Sequence, residues 1–213
     1  MAYSTLMTAA LTGATLRQLS HWRNGTTGAV LRPEISEQRP ILYSFSDLIA
    51  LRTCVYLRQE TSLQKIRRAI HTLRDLGERE HLSRYRLVAQ GRSIVLVDDG
   101  GAVDLVHRPG QQVVAVMADV LAPFTKESGQ VVPDLYRPRT EVVVEPQTQG
   151  GVPVIRGTRV PYDVVAGLVL DGVGPAEVSR YYPRVGAAAA IDAADFESYV
   201  CSYKDNSAAS DVA

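Results

Sequence analysis

A glycine at position 13 constrains this chain more than any other feature. It lies between Ala9-Ala10-Leu11-Thr12 and Thr15-Leu16-Arg17-Gln18-Leu19-Ser20-His21-Trp22. Glycine takes the positive φ that a tight turn needs. Thr15, just beyond, is placed to cap a new helix by accepting from an orphan backbone N–H. The pattern predicts a helix, a turn and a second short helix. That is the helix-turn-helix layout, in which the second helix enters the DNA major groove. Leu16, Leu19 and Trp22 recur at i, i+3 and i+6 and face inward, while Arg17, Gln18 and His21 share the outer face. Such a face carries donors and acceptors suited to base edges and phosphates. A plain α-helical hairpin also has a polar outer face, so the neighbouring segments must decide.

Those segments are basic and ordered by pattern. Leu31-Arg32-Pro33, Arg39 and Tyr43 lie between the hairpin and the next helix, in a stretch too long and too basic for a plain connector. It is read as a wing against the phosphate backbone. In Tyr43-Ser44-Phe45-Ser46-Asp47-Leu48, Ser46 is the expected N-cap. Leu48, Leu51 and Val55 then step at helical spacing while Arg52 and Arg58 point elsewhere. A further helix is expected from Ser62, with Leu63, Ile66, Ile70 and Leu73 as its apolar stripe. Lys65, Arg67, Arg68 and Arg74 form its polar face, and Gly77 ends it.

This order of helix-turn-helix, basic wing, Tyr-Ser-x-x-Asp-Leu helix and Leu-x-x-Ile helix resembles the N-terminal DNA-binding domain of MerR-type regulators over residues 3 to 78. Two departures stand out. MerR proteins usually dimerise through a long coiled coil after this domain, and no heptad run follows Gly77. Nothing in the remaining sequence supports the metal or drug sensing common in that family.

Charge is divided along the chain. Residues 1–90 hold thirteen Lys or Arg against seven Asp or Glu, and the remainder holds ten against sixteen, so the formal net charge is zero. A basic half joined to an acidic one suits a protein that meets nucleic acid at one end and another partner at the other. Chance segregation of solvated charge gives the same picture. The 213 residues fit two modest domains, and a 46% hydrophobic content suffices for packed cores. Cys54 and Cys201 are far apart and lie outside any Cys-x-x-Cys setting, so neither a disulfide nor a zinc site is expected. No apolar run approaches a bilayer-spanning length, and no signal-peptide pattern is present. The expected location is the cytoplasm, with no membrane partner.

From residue 85 the pattern turns to strands. Ser93–Val97 and Ala102–Val106 flank Asp98-Asp99-Gly100-Gly101 as a hairpin, and Gln112–Met117 is a candidate third strand. A sheet this small needs cover, which suggests a role in a homodimer. Asp98, Asp99 and Asp104 are explained by turn chemistry rather than by a metal. Residues 119–140, interrupted by Pro123, Pro133 and Pro138, read as an irregular loop ending in Tyr136-Arg137-Pro138-Arg139. A strand at Glu141–Val144 follows.

The second strong signal is Gly150-Gly151-Val152-Pro153-Val154-Ile155-Arg156-Gly157-Thr158-Arg159-Val160-Pro161. Glycines on both sides of a short apolar strand permit sharp turns, and Pro161 suits the first turn of a helix. Val164, Val165, Leu168 and Val169 give that helix its stripe, and Gly172 ends it. A helix from Pro175 to Tyr182 and another from Ala187 through Phe196 and Tyr199 to Tyr203 complete the segment. The tail from Asn206 is expected to be disordered. The Gly-x-Pro-x-Ile-x-Gly-Thr-Arg-x-Pro run resembles a compact bacterial domain, trihelical and helix-turn-helix-like, that recurs in antitoxins, over residues 149–203. The run Gly186-Ala187-Ala188-Ala189-Ala190 departs from the more polar residues common there. With the MerR-like front, the whole is similar to VapB-type antitoxins, which implies a PIN-domain ribonuclease toxin as partner. PIN nucleases hold metal with clustered carboxylates, and a cationic side chain can pair with these. Arg137, Arg139, Arg156 and Arg159 are the candidates. Arg156 and Arg159 also flank glycine amides that could hold an anion, or serve only the turn.

The expected architecture is α+β. It comprises a MerR-like winged helix-turn-helix (1–80), a small antiparallel β region (81–135), a Gly-Thr-Arg helical domain (136–205) and a tail (206–213). The expected function is that of a type II antitoxin that neutralises a ribonuclease and represses its own promoter as a homodimer. Arg17, Gln18 and His21 would read or straddle bases, with Arg23, Arg32 and Arg39 on phosphates and Thr15 at the start of the same DNA-binding helix. The other reading is a free-standing MerR-like regulator whose rear domain binds a ligand or dimerises. No nucleophile motif or metal-ligand spacing points to an enzyme or a cofactor, and His21, His71, His81 and His107 are isolated.

Overall fold

Glycine 13 does what its position demands. Helix α1 (Thr5–Thr12) starts at Ser4, whose side chain accepts from the Met7 N–H at 3.2 Å, and ends at Gly13 with φ 80°. The Gly13 N–H closes on the Ala9 carbonyl at 2.8 Å. Helix α2 (Leu16–Asn24) follows at once, with Leu19 and Trp22 buried. The computed structural model describes residues 2–24, 29–59, 62–75, 86–90, 93–98, 101–104 and 120–208.

Beyond α2 the chain returns to the start. Strand β1 (Tyr3–Ser4) pairs antiparallel with β2 (Leu42–Tyr43), Tyr3 opposite Tyr43. Ser36 and Leu42 exchange two backbone hydrogen bonds of 3.1 Å, closing a small hairpin with exposed Glu37, Gln38, Arg39 and Pro40 at its tip.

Helix α3 (Phe45–Leu57) is capped by Ser44, where the sequence pattern had pointed to Ser46. The Asp47 N–H donates to Ser44 Oγ at 2.9 Å and the Ser44 N–H donates to Asp47 Oδ2 at 2.8 Å, a reciprocal box at an extended residue. The same Asp47 oxygen accepts from the Glu34 N–H at 3.0 Å, so the cap also anchors the hairpin's base. Helix α4 (Leu63–Asp75) buries Ile66 and Ile70 of its predicted stripe, with Leu63 half-buried, and buries Ala69 beside them. Gly77, its expected end, lies outside the described residues.

Strands β3 (Arg86–Gln90), β4 (Ser93–Asp98) and β5 (Gly101–Asp104) form an antiparallel sheet in that order, with Gln90 opposite Ser93 and Asp98 opposite Gly101. The expected strand at 112–117 lies outside the described residues. The segment expected to be irregular holds another hairpin, β6 (Phe124–Thr125) with β7 (Val131–Val132), turned at Gly129. Two residues a side, bracketed by Pro123 and Pro133, are too few to show a period in sequence.

In the C-terminal part, β8 (Val142–Val143) pairs antiparallel with β9 (Val154–Ile155) around the glycine-rich turns. Helix α5 (Tyr162–Leu170) starts at Pro161, which sits at the N-cap rather than inside the first turn. Pro175–Arg180 forms a 3-10 turn in place of the expected α-helix. Helix α6 (Ala187–Ala208) runs further than expected and takes in Asn206–Ala208 of the predicted disordered tail. The fold is thus α+β with small antiparallel strand pairs.

One hydrophobic core spans both ends of the chain. Leu11, Trp22, Leu48 and Ile66 belong to the same buried cluster as Val165, Phe196 and Tyr203. The Tyr199 hydroxyl donates to the Ala10 carbonyl of α1 at 3.1 Å, and the Tyr3 hydroxyl donates to the Gly151 carbonyl at 2.7 Å. Arg52, placed by its spacing away from the apolar stripe, is the departure with the largest consequence: it is 0% exposed. Its guanidinium donates to Leu11 O at 2.6 Å, Ala122 O at 2.7 Å, Pro133 O at 2.6 Å and Leu121 O at 3.3 Å, and also to Val120 O. The planar fork of five N–H donors matches such convergent carbonyls. Burial pushes its pKa down to about 10, which leaves it cationic at neutral pH. Cys54 is buried and Cys201 half-buried, and the two are not joined in a disulfide.

Candidate functional site

The second helix is held from within and open outside. Thr15 Oγ1 accepts from the Gln18 N–H at 3.1 Å, and Gln18 Oε1 accepts from the Thr15 N–H at 2.8 Å. Thr15 therefore caps α2 as its position predicts, and Gln18, an expected base-reading side chain, is engaged in the same cap. Its carbonyl engaged, the half-buried Gln18 is more constrained than its spacing suggests. Leu19 and Trp22 fix the opposite face in the core. Arg17, Ser20 and His21 are left exposed.

The other three expected contacts, all cations, divide. Arg32 and Arg39 are exposed, Arg39 at the tip of the 36–42 hairpin. Arg23 is half-buried and donates to the Tyr43 hydroxyl at 3.5 Å, tying α2 to β2. Burial pushes the Tyr43 phenol up in pKa, and the Arg23 contact works against that shift.

Helix α4 adds what spacing within α2 does not reveal. Arg67 Nη2 lies 3.2 Å from His21 Nε2. Arg67 stands half-buried beside the exposed face of α2, with Lys65 half-buried and Arg68 exposed on the same helix. The only prior signal was the basic polar face of the 63–75 helix, which does not show that it meets α2.

The turn between α1 and α2 is covered. Lys126 Nζ donates to the Gly13 carbonyl and to Gln130 Oε1, both at 2.8 Å, and burial lowers the Lys126 pKa. A Cβ added at Gly13 would lie 2.5 Å from Val132 Cγ2. The β6–β7 hairpin therefore rests on the turn and holds α2 at a fixed angle to α1.

Among the four C-terminal arginines the structure draws distinctions. Arg139 Nε meets Asp195 Oδ2 at 2.5 Å, and its guanidinium lies 5.7 Å from the Phe196 ring centroid and 5.2 Å from that of Tyr199. Arg156 forks onto Glu141 at 2.5 and 3.3 Å. Arg137 Nε donates to the Thr140 carbonyl at 3.1 Å. The exposed Arg159 side chain has no hydrogen bond or ion pair among the described residues. It borders an open cleft of about 580 Å³ floored by Val160, Tyr182 and Val185, with exposed Arg184 also on the rim. Glu145, the carboxylate of this cleft, accepts from Thr148 Oγ1 at 2.8 Å. The Gly157 turn closes on itself, Thr158 Oγ1 donating to Ile155 O at 2.8 Å and accepting from the Val160 N–H at 3.0 Å.

Residues 142–196, about a quarter of the chain, match the family described as "Protein of unknown function (DUF433)". This span covers β8 through the first ten residues of α6, and with it the Gly-Thr-Arg turn and the cleft. In fold the chain is similar to the crystal structure of Rv2018 from Mycobacterium tuberculosis. The TM-score is 0.54 at 13% sequence identity, over 90% of this chain and 96% of that one. No curated protein matches the chain. Among the described residues no helix is long and apolar enough to cross a membrane.

Proposed function

We propose that this protein binds duplex DNA through α2 and the 36–42 hairpin, as a winged helix-turn-helix of MerR type, and acts as an antitoxin that represses its own promoter. The observation that carries the DNA reading is the exposure of Arg17 and His21 on a helix whose other face is locked in the core by Leu19 and Trp22. Base readout needs such a rigid presentation, because loosely held donors cannot favour one base edge over another. Arg32 and Arg39, on and beside the hairpin, are placed for phosphates. Thr15 and Gln18 serve the helix start and approach the backbone of the duplex rather than the bases.

The second half of the reading is a PIN-domain ribonuclease held by the C-terminal part. Its support is the resemblance of residues 149–203 to the antitoxin-associated domain, together with Arg159 and Arg184, which have no ion-pair partner among the described residues, on the rim of an apolar-floored cleft. Arg137, Arg139 and Arg156 already serve internal acceptors, so Arg159 is the preferred contact for a metal-binding carboxylate cluster.

Selection of duplexes from a randomised pool by the full chain tests the first half. A recovered, salt-sensitive, two-half-site motif is expected if a homodimer binds. Recovery of no motif at low salt sinks it. Co-expression with the product of the adjacent reading frame tests the second. Co-purification with loss of ribonuclease activity supports the antitoxin, whereas a motif bound without any nuclease partner leaves the free-standing regulator.

A further inference from the structure

We propose that Arg67 is a positioning residue that fixes the tautomer of His21, so that α2 presents a single N–H donor to DNA and selects an acceptor edge. The inference rests on the DNA reading above.

The argument starts from the 3.2 Å contact between Arg67 Nη2 and His21 Nε2. A guanidinium has donors and no acceptor, so the direction of this bond is settled: Nη2 donates and Nε2 accepts. A neutral imidazole carries one proton, and with Nε2 accepting it resides on Nδ1. In water a free histidine side chain favours the other tautomer, so the arginine reverses the intrinsic preference. Arg67 is well placed to hold this state. It is half-buried against the body of the protein, and its Nε is buried without a partner among the described residues, which leaves the outer nitrogens as its working end.

The consequence is chemical. A solvent-facing imidazole free to choose its tautomer offers a donor or an acceptor at either nitrogen, and so discriminates poorly. With Nε2 occupied, the exposed His21 has one outward group left, an N–H donor. In the major groove guanine presents two acceptors, N7 and O6, whereas cytosine presents the N4 donor. His21 on this helix therefore favours guanine over cytosine at the base it meets.

Long-range proton–nitrogen NMR of the full chain, at a pH where the ring is neutral, reads the tautomer without DNA. Wild type should show the Nδ1–H form, and Arg67→Met should move His21 towards Nε2–H. A wild-type Nε2–H form overturns the proposal. Duplex selection reads the consequence. Arg67→Met should lose roughly fivefold in guanine preference at one position of each half-site, the scale of one hydrogen bond, with the rest of the motif retained. His21→Ala, at an exposed position, should lose the same preference, and Arg67→Lys, also a pure donor, should keep it. An unchanged guanine preference in Arg67→Met overturns the inference while leaving DNA binding intact. If wild type selects no motif at all, both the DNA reading and this role fall together.

Discussion

Arginines in the two halves of this protein are occupied differently. On α2, on the 36–42 hairpin and just ahead of that hairpin, Arg17, Arg39 and Arg32 stand in solvent with no ion-pair partner among the described residues. In the C-terminal part Arg137, Arg139 and Arg156 each hold a carbonyl or a carboxylate of the protein itself. A cation that satisfies an internal acceptor is part of the fold. One left open is available to a partner and costs the fold little to keep. Arg52 is the extreme of the first kind and Arg17 of the second.

Replacing Arg52 tests that extreme and should give the largest effect. Arg52→Met keeps much of the volume but strands the carbonyls of Leu11, Val120, Leu121, Ala122 and Pro133. Each buried unsatisfied acceptor costs roughly 1–3 kcal/mol, and partial relaxation brings the expected total to about 3–5 kcal/mol. In a chain of this size that corresponds to a melting temperature lowered by roughly 10 °C or more. A change within 2 °C would mean that the carbonyls find water, and that Arg52 is no keystone.

Gly13→Ala comes next. It forces a side chain into positive φ and drives a Cβ to 2.5 Å from Val132 Cγ2. The backbone part costs about 1 kcal/mol and the clash adds a similar amount, for roughly 2–3 kcal/mol in all. In a Val132→Ala background the clash disappears, so the same glycine substitution should cost only about 1 kcal/mol. Equal costs in both backgrounds, measured by denaturant unfolding, would separate the β6–β7 hairpin from the control of α2.

These two residues also show what a sequence can and cannot disclose. Gly13 is legible because its constraint is local: one dihedral, between two helical patterns. The short Tyr162 helix and the glycine turns around Val154-Ile155 are legible for the same reason. Arg52 is not, since its acceptors lie 68 to 81 positions further on in sequence or in another helix. On a helix buried nearly all round, as α3 is, the rule that charge points outward fails. The N-cap was misplaced because two serines two residues apart both precede a helical run, and only Ser44 has Asp47 three residues on to close the box. For the candidate site, the outward face of α2 was readable from spacing. The pairing of His21 with Arg67 was not, because it depends on how α4 packs beside α2.

The exposed side of the comparison is tested by binding. Arg17→Ala should leave the melting temperature within about 1 °C, since an open surface position contributes under ~0.5 kcal/mol. On the duplex selected by wild type it should weaken binding by roughly 1–3 kcal/mol if it meets a base edge. Arg39→Ala at the hairpin tip should lower affinity evenly across sequences and reduce the salt slope by about 1. A fluorescence titration in which Arg17→Ala binds like wild type removes Arg17 from the interface.

The smallest effect divides the C-terminal arginines. Arg139 has an ion pair with Asp195 and lies beside the rings of Phe196 and Tyr199, of which Phe196 is fully buried. Asp195 is well exposed, which discounts the ion pair, so Arg139→Ala should cost about 1 kcal/mol, mostly through the rings and lost packing. Arg159→Ala, with no such partner, should be neutral within ~0.5 kcal/mol. If Arg159 serves a nuclease partner, Arg159→Glu should abolish neutralisation in co-expression while its melting curve overlays that of wild type. Arg139→Glu should instead lose stability first. Should the two charge reversals behave alike in both measurements, internal engagement would not be what separates a structural arginine from one left for a partner.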